Sequence, residues 1–202
     1  MPWPPDAYKY TPESLQKEIV DFALKPLYEA YTFLKQEHDV ANFEENEITK
    51  HLVFYLKHKT SISEMCARHS VHVILWPSEQ PEQATTCVPD IKFDLPSRNW
   101  LHVEAKRIYE KKDWSVTEYL SAEDGIGRIL SGKYSTDDPY AAMLCYIQNG
   151  DFYNIINKIK QALLPLASRP IDDVDELNDC VFSIHNRQTN EIGIYHLFFY
   201  FS

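Results

Sequence analysis

Between Pro89 and Lys106 the chain reads PDIKFDLPSRNWLHVEAK, and its alternation leaves little freedom in how it folds. Ile91, Phe93 and Leu95 share one side of an extended chain, with Asp90, Lys92 and Asp94 on the other. After the break at Pro96-Ser97-Arg98 the period resumes. Leu101, Val103 and Ala105 are on the apolar side; Trp100, His102, Glu104 and Lys106 lie opposite. A period of two on both sides of a turn predicts two strands packed on a core through one face. A slip of one residue would turn every apolar side chain outward, so the pairing register is constrained. A loop of Pro96 to Arg98 sets Leu95 opposite Asn99, Lys92 opposite His102 and Asp90 opposite Glu104. Two carboxylates facing each other across a strand pair cost about 0.2–1 kcal/mol. A shared divalent cation turns that repulsion into a binding site. With Lys106 on the same side, the patch points to metal-assisted hydrolysis.

The rest of the chain supplies helices around such a sheet. Residues 1–10 read as an extended arm rich in Pro and aromatic residues. Thr11-Pro12-Glu13 predicts a helix start, and the pattern continues over 11–34 with a kink at Pro26. A second helix is predicted over 42–59, with Asn42 and Glu45 as a capping pair and Ile48, Leu52, Tyr55 and Leu56 as its apolar stripe. At about 100° per residue, Glu45 projects near the centre of that stripe, Glu44 at its edge and Glu47 away from it. Glu45 therefore either caps its helix or brings a carboxylate toward the core. Further on, 70–76 reads as a strand, 121–130 as a helix capped by Ser121, and 141–147 as a buried strand. Asn149-Gly150-Asp151 reads as a turn and cap before a helix over 152–164. Segments 180–186 and 192–201 form a closing hairpin, whose FFYF stretch must be core or a protein interface. This order predicts an α/β domain with a mixed central β-sheet flanked by helices.

Pro89-Asp90, thirteen residues, then Glu104-Ala105-Lys106 resembles the signature of the PD-(D/E)xK nuclease superfamily. The resemblance covers roughly residues 42–147 and implies a restriction-endonuclease-like core. It sits within a single domain, 1–202, with helix 11–34 and hairpin 180–201 as additions. It implies that Asp90 and Glu104, with the Ala105 carbonyl, hold Mg²⁺ or Mn²⁺, that Lys106 assists the attacking water, and that Glu45 supplies a further carboxylate. The implied substrate is DNA, with RNA as second choice, and Arg107, Arg128 and Lys133 are candidate phosphate contacts. The Gly127-Arg128 helix followed by Gly132-Lys133-Tyr134 is similar to nuclease-fold proteins of bacterial defence systems. The alternative from another class is a catalytically inactive nuclease-fold subunit, a protein-binding module in a defence or toxin–antitoxin complex. Its partner, or a second copy of the chain, would dock on the aromatic C-terminal strand.

Charge bears on both readings. A formal net charge of −10 opposes non-specific affinity for nucleic acid, so DNA binding by the chain alone is expected to be weak. The four cysteines form no CxxC pair and read as reduced thiols, and the chain opens without an apolar leader. No run of about eighteen apolar residues occurs, so no membrane span is expected and the expected location is cytoplasmic. Several other chemistries fail on context. Gly127 to Tyr134 nearly spells a P-loop, but it ends in Tyr and follows no apolar strand. Gly125 and Gly127 lack the third glycine of a dinucleotide fingerprint. Cys66, His69 and His72 lack a fourth zinc ligand. There is no GxSxG elbow. His102 shares the Glu104 side and either assists there or borders the site.

Overall fold

A computed structural model describes residues 12–75, 89–108, 114–121, 123–133 and 137–201. The expected arm at 1–10, the Thr11 cap, the loop carrying Pro77 and Pro81, and Cys87 lie outside the described residues. The architecture is a mixed seven-stranded sheet flanked by helices, in the order β1-β2-β3-β4-β7-β6-β5. The strands are β1 (His72–Leu75), β2 (Ile91–Asp94), β3 (Trp100–Ile108), β4 (Tyr140–Ile147), β5 (Asp172–Asp173), β6 (Cys180–Asn186) and β7 (Glu191–Tyr200). β1, β2 and β3 form an antiparallel meander; β3, β4 and β7 run parallel; β6 returns antiparallel beside β7. No described helix is long and apolar enough to cross a membrane.

Each face of the sheet has its own core. On one face pack α1 (Pro12–Ile19), α2 (Lys25–Glu37) and α3 (Glu45–His58). Their Ile19, Leu27, Leu34, Leu52 and Leu56 meet Ile91, Phe93, Val103, Ala105, Leu144 and Leu197. A short helix, α4 (Ser63–Ala67), leads into β1. On the other face, α5 (Trp114–Leu120), α6 (Ile126–Leu130) and α7 (Phe152–Leu163) contribute Tyr119, Ile129, Ile155 and Ile159 against Met143, Cys145, Ile194 and Phe198. The alternation read at 91–105 thus puts Ile91, Phe93, Leu95, Leu101, Val103 and Ala105 in the first core, and on the other side leaves Trp100 exposed, Lys92 and Asp94 half-buried and His102 and Glu104 buried.

Several boundaries differ from expectation for local physical reasons. The kink expected at Pro26 is a single π turn, Val20–Leu24, in which the Lys25 N–H donates to the Val20 carbonyl five residues back. Pro26 carries no N–H, and the extra residue reorganises the ladder just ahead of it. The helix expected over 121–130 is only α6, because the chain bends at Gly125 after α5. A Cβ at Gly125 would lie 2.2 Å from the Tyr119 carbonyl oxygen, so the bend closes only on glycine. Ser121 still caps the bend, its Oγ accepting from the backbone N–H groups of Glu123 and Asp124. Asp151 caps α7 as expected, accepting from the Asn154 N–H at 3.0 Å.

Of the two outcomes expected for the aromatic C-terminal strand, core or interface, it is core, which leaves it no edge or face for the docking of a partner or a second copy. β7 is paired on both edges, and Ile192 through Phe199 are buried or nearly so, Gly193 among them. Phe199 stacks on Tyr31 with ring centres 4.5 Å apart and nearly parallel planes, and the Tyr31 hydroxyl donates to the Tyr200 carbonyl. Helix 12–37 and the hairpin 180–200 therefore pack directly on each other.

On the second face, four buried polar groups form one chain of hydrogen bonds. Tyr119 Oη lies 2.6 Å from His196 Nδ1; His196 Nε2 and His185 Nε2 each lie 2.7 Å from Ser183 Oγ; His185 Nδ1 lies 2.9 Å from the Leu166 carbonyl. Burial disfavours the charged form of both imidazoles, so both rings are neutral. A carbonyl only accepts, and with neutral rings the last bond then sets every proton: His185 donates to Leu166 and accepts from Ser183; His196 donates to Ser183 and accepts from Tyr119. Burial, helped by His185, pushes His196 down to about 3, and burial lowers His185 as well. An unfolded His takes a proton near pH 6.5, so this contribution to stability is complete above that pH and drains away as pH falls toward about 3. Tyr119→Phe leaves His196 Nδ1 without its donor and is expected to cost about 1–3 kcal/mol at pH 7.5. Denaturant midpoints measured from pH 7.5 to 4 check both the cost and the direction of the slope.

Candidate functional site

The register derived from the sequence is the one observed. Lys92 pairs with His102, Phe93 with Leu101 and Ile91 with Val103, which places Asp90 opposite Glu104 on one side of the sheet. Leu95 donates its N–H to the Asn99 carbonyl, and Arg98 takes the left-handed conformation (φ 63°) that closes the turn. The turn is also held from outside: Glu18 of α1 accepts from the Ser97 N–H at 2.6 Å. Beyond Ile91 the Asp90 carboxylate takes over the next rung of the ladder, with Oδ2 accepting from the Ala105 N–H at 2.7 Å.

Glu104 is 1% exposed and its Oε1 meets two cations, Lys106 Nζ and Arg128 Nη1, each at 3.1 Å. Lys106 Nζ also lies 3.4 Å from Glu45 Oε1. Glu45 Oε2 accepts from the Arg107 N–H at 2.8 Å, which joins the first turn of α3 to the C-terminal end of β3. Glu45 is therefore no capping partner of Asn42. The helix starts at Glu45 itself, with Glu44 as N-cap residue and no side-chain cap bond. Of the three acids at this helix start, Glu45 is the one that approaches Glu104 and Lys106. Glu44 instead pairs with Arg107.

The other sequence candidates separate clearly. Arg128 is inside the cluster, with Nη2 on Asp124 and Nε donating to the Glu123 carbonyl. The Arg107 guanidinium is turned away to the Phe43 carbonyl and Glu44, where it fixes the approach to α3. Lys133 pairs with exposed Glu123 at 3.0 Å. His102 sits beside the site, its Nδ1 2.7 Å from Asp138 Oδ2. A helix, α5, and no strand precedes the P-loop-like stretch. The sequence reading missed Gln148, whose Nε2 donates to the Val40 and Phe43 carbonyls and anchors the same approach to α3. Its signal was a polar residue directly after an apolar strand. It also missed Tyr146, whose hydroxyl lies 3.0 Å from Thr49 Oγ1 one turn after Glu45.

The electrostatics follow from burial. Burial and the facing Glu104 push the Asp90 carboxyl up to about 7, against the Ala105 N–H and Lys106, which pull it down. Burial alone would lower Lys106, but Glu104, Glu45 and Asp90 outweigh it and leave its ammonium raised. The donor atoms on offer to a metal are carboxylate and carbonyl oxygens: Asp90, Glu104 and the Ala105 carbonyl. That set fits a small hard cation such as Mg²⁺, which needs one or two carboxylates and keeps several waters. Among the described residues no group of three or more His, Cys, Asp or Glu is placed to hold a metal ion together. A cavity of about 330 Å³ lies at the far edge of the sheet, lined by Tyr153, Asn157, Lys160, Asp173 and Phe198 among others, away from these groups. No protein-family model, no curated protein and no solved structure matches this chain.

An acid whose folded pKa is raised favours folding only while it is protonated. The stability tied to Asp90 is whole below about pH 4 and is lost as pH rises through about 7, a difference on the order of a few kcal/mol. Asp90→Asn is expected to melt above the wild type at pH 8 in chelator, with the gap closing toward pH 4. Adding Mg²⁺ or Mn²⁺ should raise the wild-type melting temperature and leave that of the variant unchanged, as followed by thermal denaturation.

Proposed function

We propose that this chain is a divalent-metal-dependent nuclease of the PD-(D/E)xK type that hydrolyses phosphodiester bonds of DNA, with RNA as the second choice. The observation that carries the proposal is the meeting of Asp90, Glu104, Lys106 and Glu45 at one place, from two neighbouring strands and a helix start. The order of elements supports the same reading: a helix, an antiparallel three-stranded meander, helices, then a strand parallel to the last of the meander. Asp90, Glu104 and the Ala105 carbonyl would hold Mg²⁺ or Mn²⁺. When bound, the ion lowers the pKa of water and neutralises charge that develops on the phosphoryl group.

The residues of the chain do the remaining work. Lys106, kept cationic by three carboxylates, orients the attacking water and offsets charge on the non-bridging oxygens. Glu45 holds that ammonium in place and accepts the strand N–H next to it. Arg128 neutralises Glu104 at rest and is the cation best placed to turn toward a phosphate. Arg107 is assigned to holding α3, not to the substrate.

A second reading draws on the same pair of cations. Glu104 is already neutralised by Lys106 and Arg128, and the chain carries a net charge of −10, as suits an inactive nuclease-fold subunit that binds a protein in a defence or toxin–antitoxin complex. Incubation with plasmid and short DNA substrates in Mg²⁺ and Mn²⁺ separates the two. Cleavage that falls at least about 100-fold in Asp90→Ala and Lys106→Ala is the expected result. Activity retained in either variant refutes the assignment. Absence of both cleavage and calorimetric Mn²⁺ binding favours the inactive subunit.

A further inference from the structure

The face of the sheet that carries Glu104 is unevenly covered. Its core beneath α5, α6 and α7 draws on β3, β4, β6 and β7 and includes no residue of β1 or β2. On that side β1 and β2 present His72, Ile74, Lys92 and Asp94, in register with Trp100 and His102 of β3. Trp100 is 48% exposed, the one large apolar side chain so exposed on any described strand. The Lys92 ammonium lies 3.4 Å from the centre of the Trp100 ring, and its side chain is only 15% exposed. Asp94, directly across from Trp100, lies 3.6 Å from the same ammonium. The indole is thus set by the Lys92 cation and bordered by His102, with ring centres 6.3 Å apart, and about half of it remains exposed.

We propose that Trp100, set by Lys92, is a stacking platform for an unpaired base of the substrate, so that the preferred substrate is single-stranded or locally unpaired nucleic acid. This rests on the nuclease reading of the Asp90–Glu104 site and names its substrate class. Trp100 and Glu104 are on the same face of one strand, four residues apart, or about 13 Å at 3.3 Å per residue. That is about four stacked nucleotide steps at 3.4 Å each. A strand whose phosphate lies at Glu104 and Lys106 therefore passes Trp100 within a few nucleotides. Bases inside a duplex keep their faces buried in the stack, whereas an unpaired base offers its π-face to an exposed indole. Stacking also answers the charge problem. An acidic chain with few cations near its site gains little from phosphate contacts, and stacking adds affinity without a phosphate partner.

The test is fluorescence anisotropy with a labelled thymidine 12-mer and with a blunt duplex of the same length, using the whole chain in EDTA so that no cleavage intervenes. The wild type is expected to prefer the single strand at least tenfold. Trp100→Ala should lose about 10- to 100-fold of that affinity, Trp100→Phe should keep most of it, and Lys92→Met should fall between them. Thermal melts of each variant confirm folding, and the exposed position of Trp100 makes the alanine variant tolerable. Wild-type affinity in Trp100→Ala, or a wild-type preference for duplex, overturns the platform even if Mg²⁺-dependent cleavage is found. Single-strand binding through Trp100 without cleavage in Mg²⁺ or Mn²⁺ keeps the platform and rejects catalysis. No binding to either oligonucleotide overturns the platform, and the Mg²⁺- and Mn²⁺-dependent cleavage assay then decides the nuclease reading on its own.

Discussion

A carboxylate that is 1% exposed in the middle of a strand costs several kcal/mol unless it is paired, and much of this molecule is arranged around pairing Glu104. Lys106 comes from the same strand two residues on. Arg128 comes from α6, which reaches Glu104 only because the chain bends sharply at Gly125. That bend is held in turn by α5, and α5 is tied to β6 and β7 by the chain of bonds from Tyr119 through His196 and Ser183 to His185. From the opposite layer, Glu45 is drawn to Lys106, and Arg107 and Gln148 fix the segment that delivers it. Helices on both faces of the sheet thus converge on one negative charge.

Asp90 is the partner that this scheme leaves short of cations. Lys106 and Arg128 contact Glu104, and Asp90 receives a backbone N–H and the field of Lys106 at a distance. Burial first, and the facing Glu104 second, raise its pKa to about 7.

What was legible in the sequence was whatever depends on parity and short range. The facing of Asp90 and Glu104 followed from a period of two and a short loop, and the approach of Glu45 followed from its angle on a helix. The cap assigned to that helix was wrong because Asn42 and Glu45 have the right spacing for a capping box, while Glu45 forms a stronger bond with a strand N–H sixty-two residues away. The burial of the FFYF strand was ambiguous because a strand covered on both faces loses alternation and reads as a bare apolar run. The Tyr119–His196–Ser183–His185 chain had no sequence signature, since Tyr119 and His196 are 77 residues apart and no periodicity relates them. Arg128 was visible as a cation, but its partner depended on a bend that a single glycine controls.

The π turn between α1 and α2 has a consequence for how this chain can change over evolutionary time. It holds one residue more than a regular helix needs, and the five residues of a π turn cover about the rotation that four cover in an α-helix. The extra residue is absorbed just where Pro26, with no N–H, interrupts the ladder in any case. The turns before it therefore stay in phase with those after it, and Glu18 keeps its place at Ser97. Such a site accepts the gain or loss of one residue without turning the N-terminal turns away from a hairpin some eighty residues further along the chain.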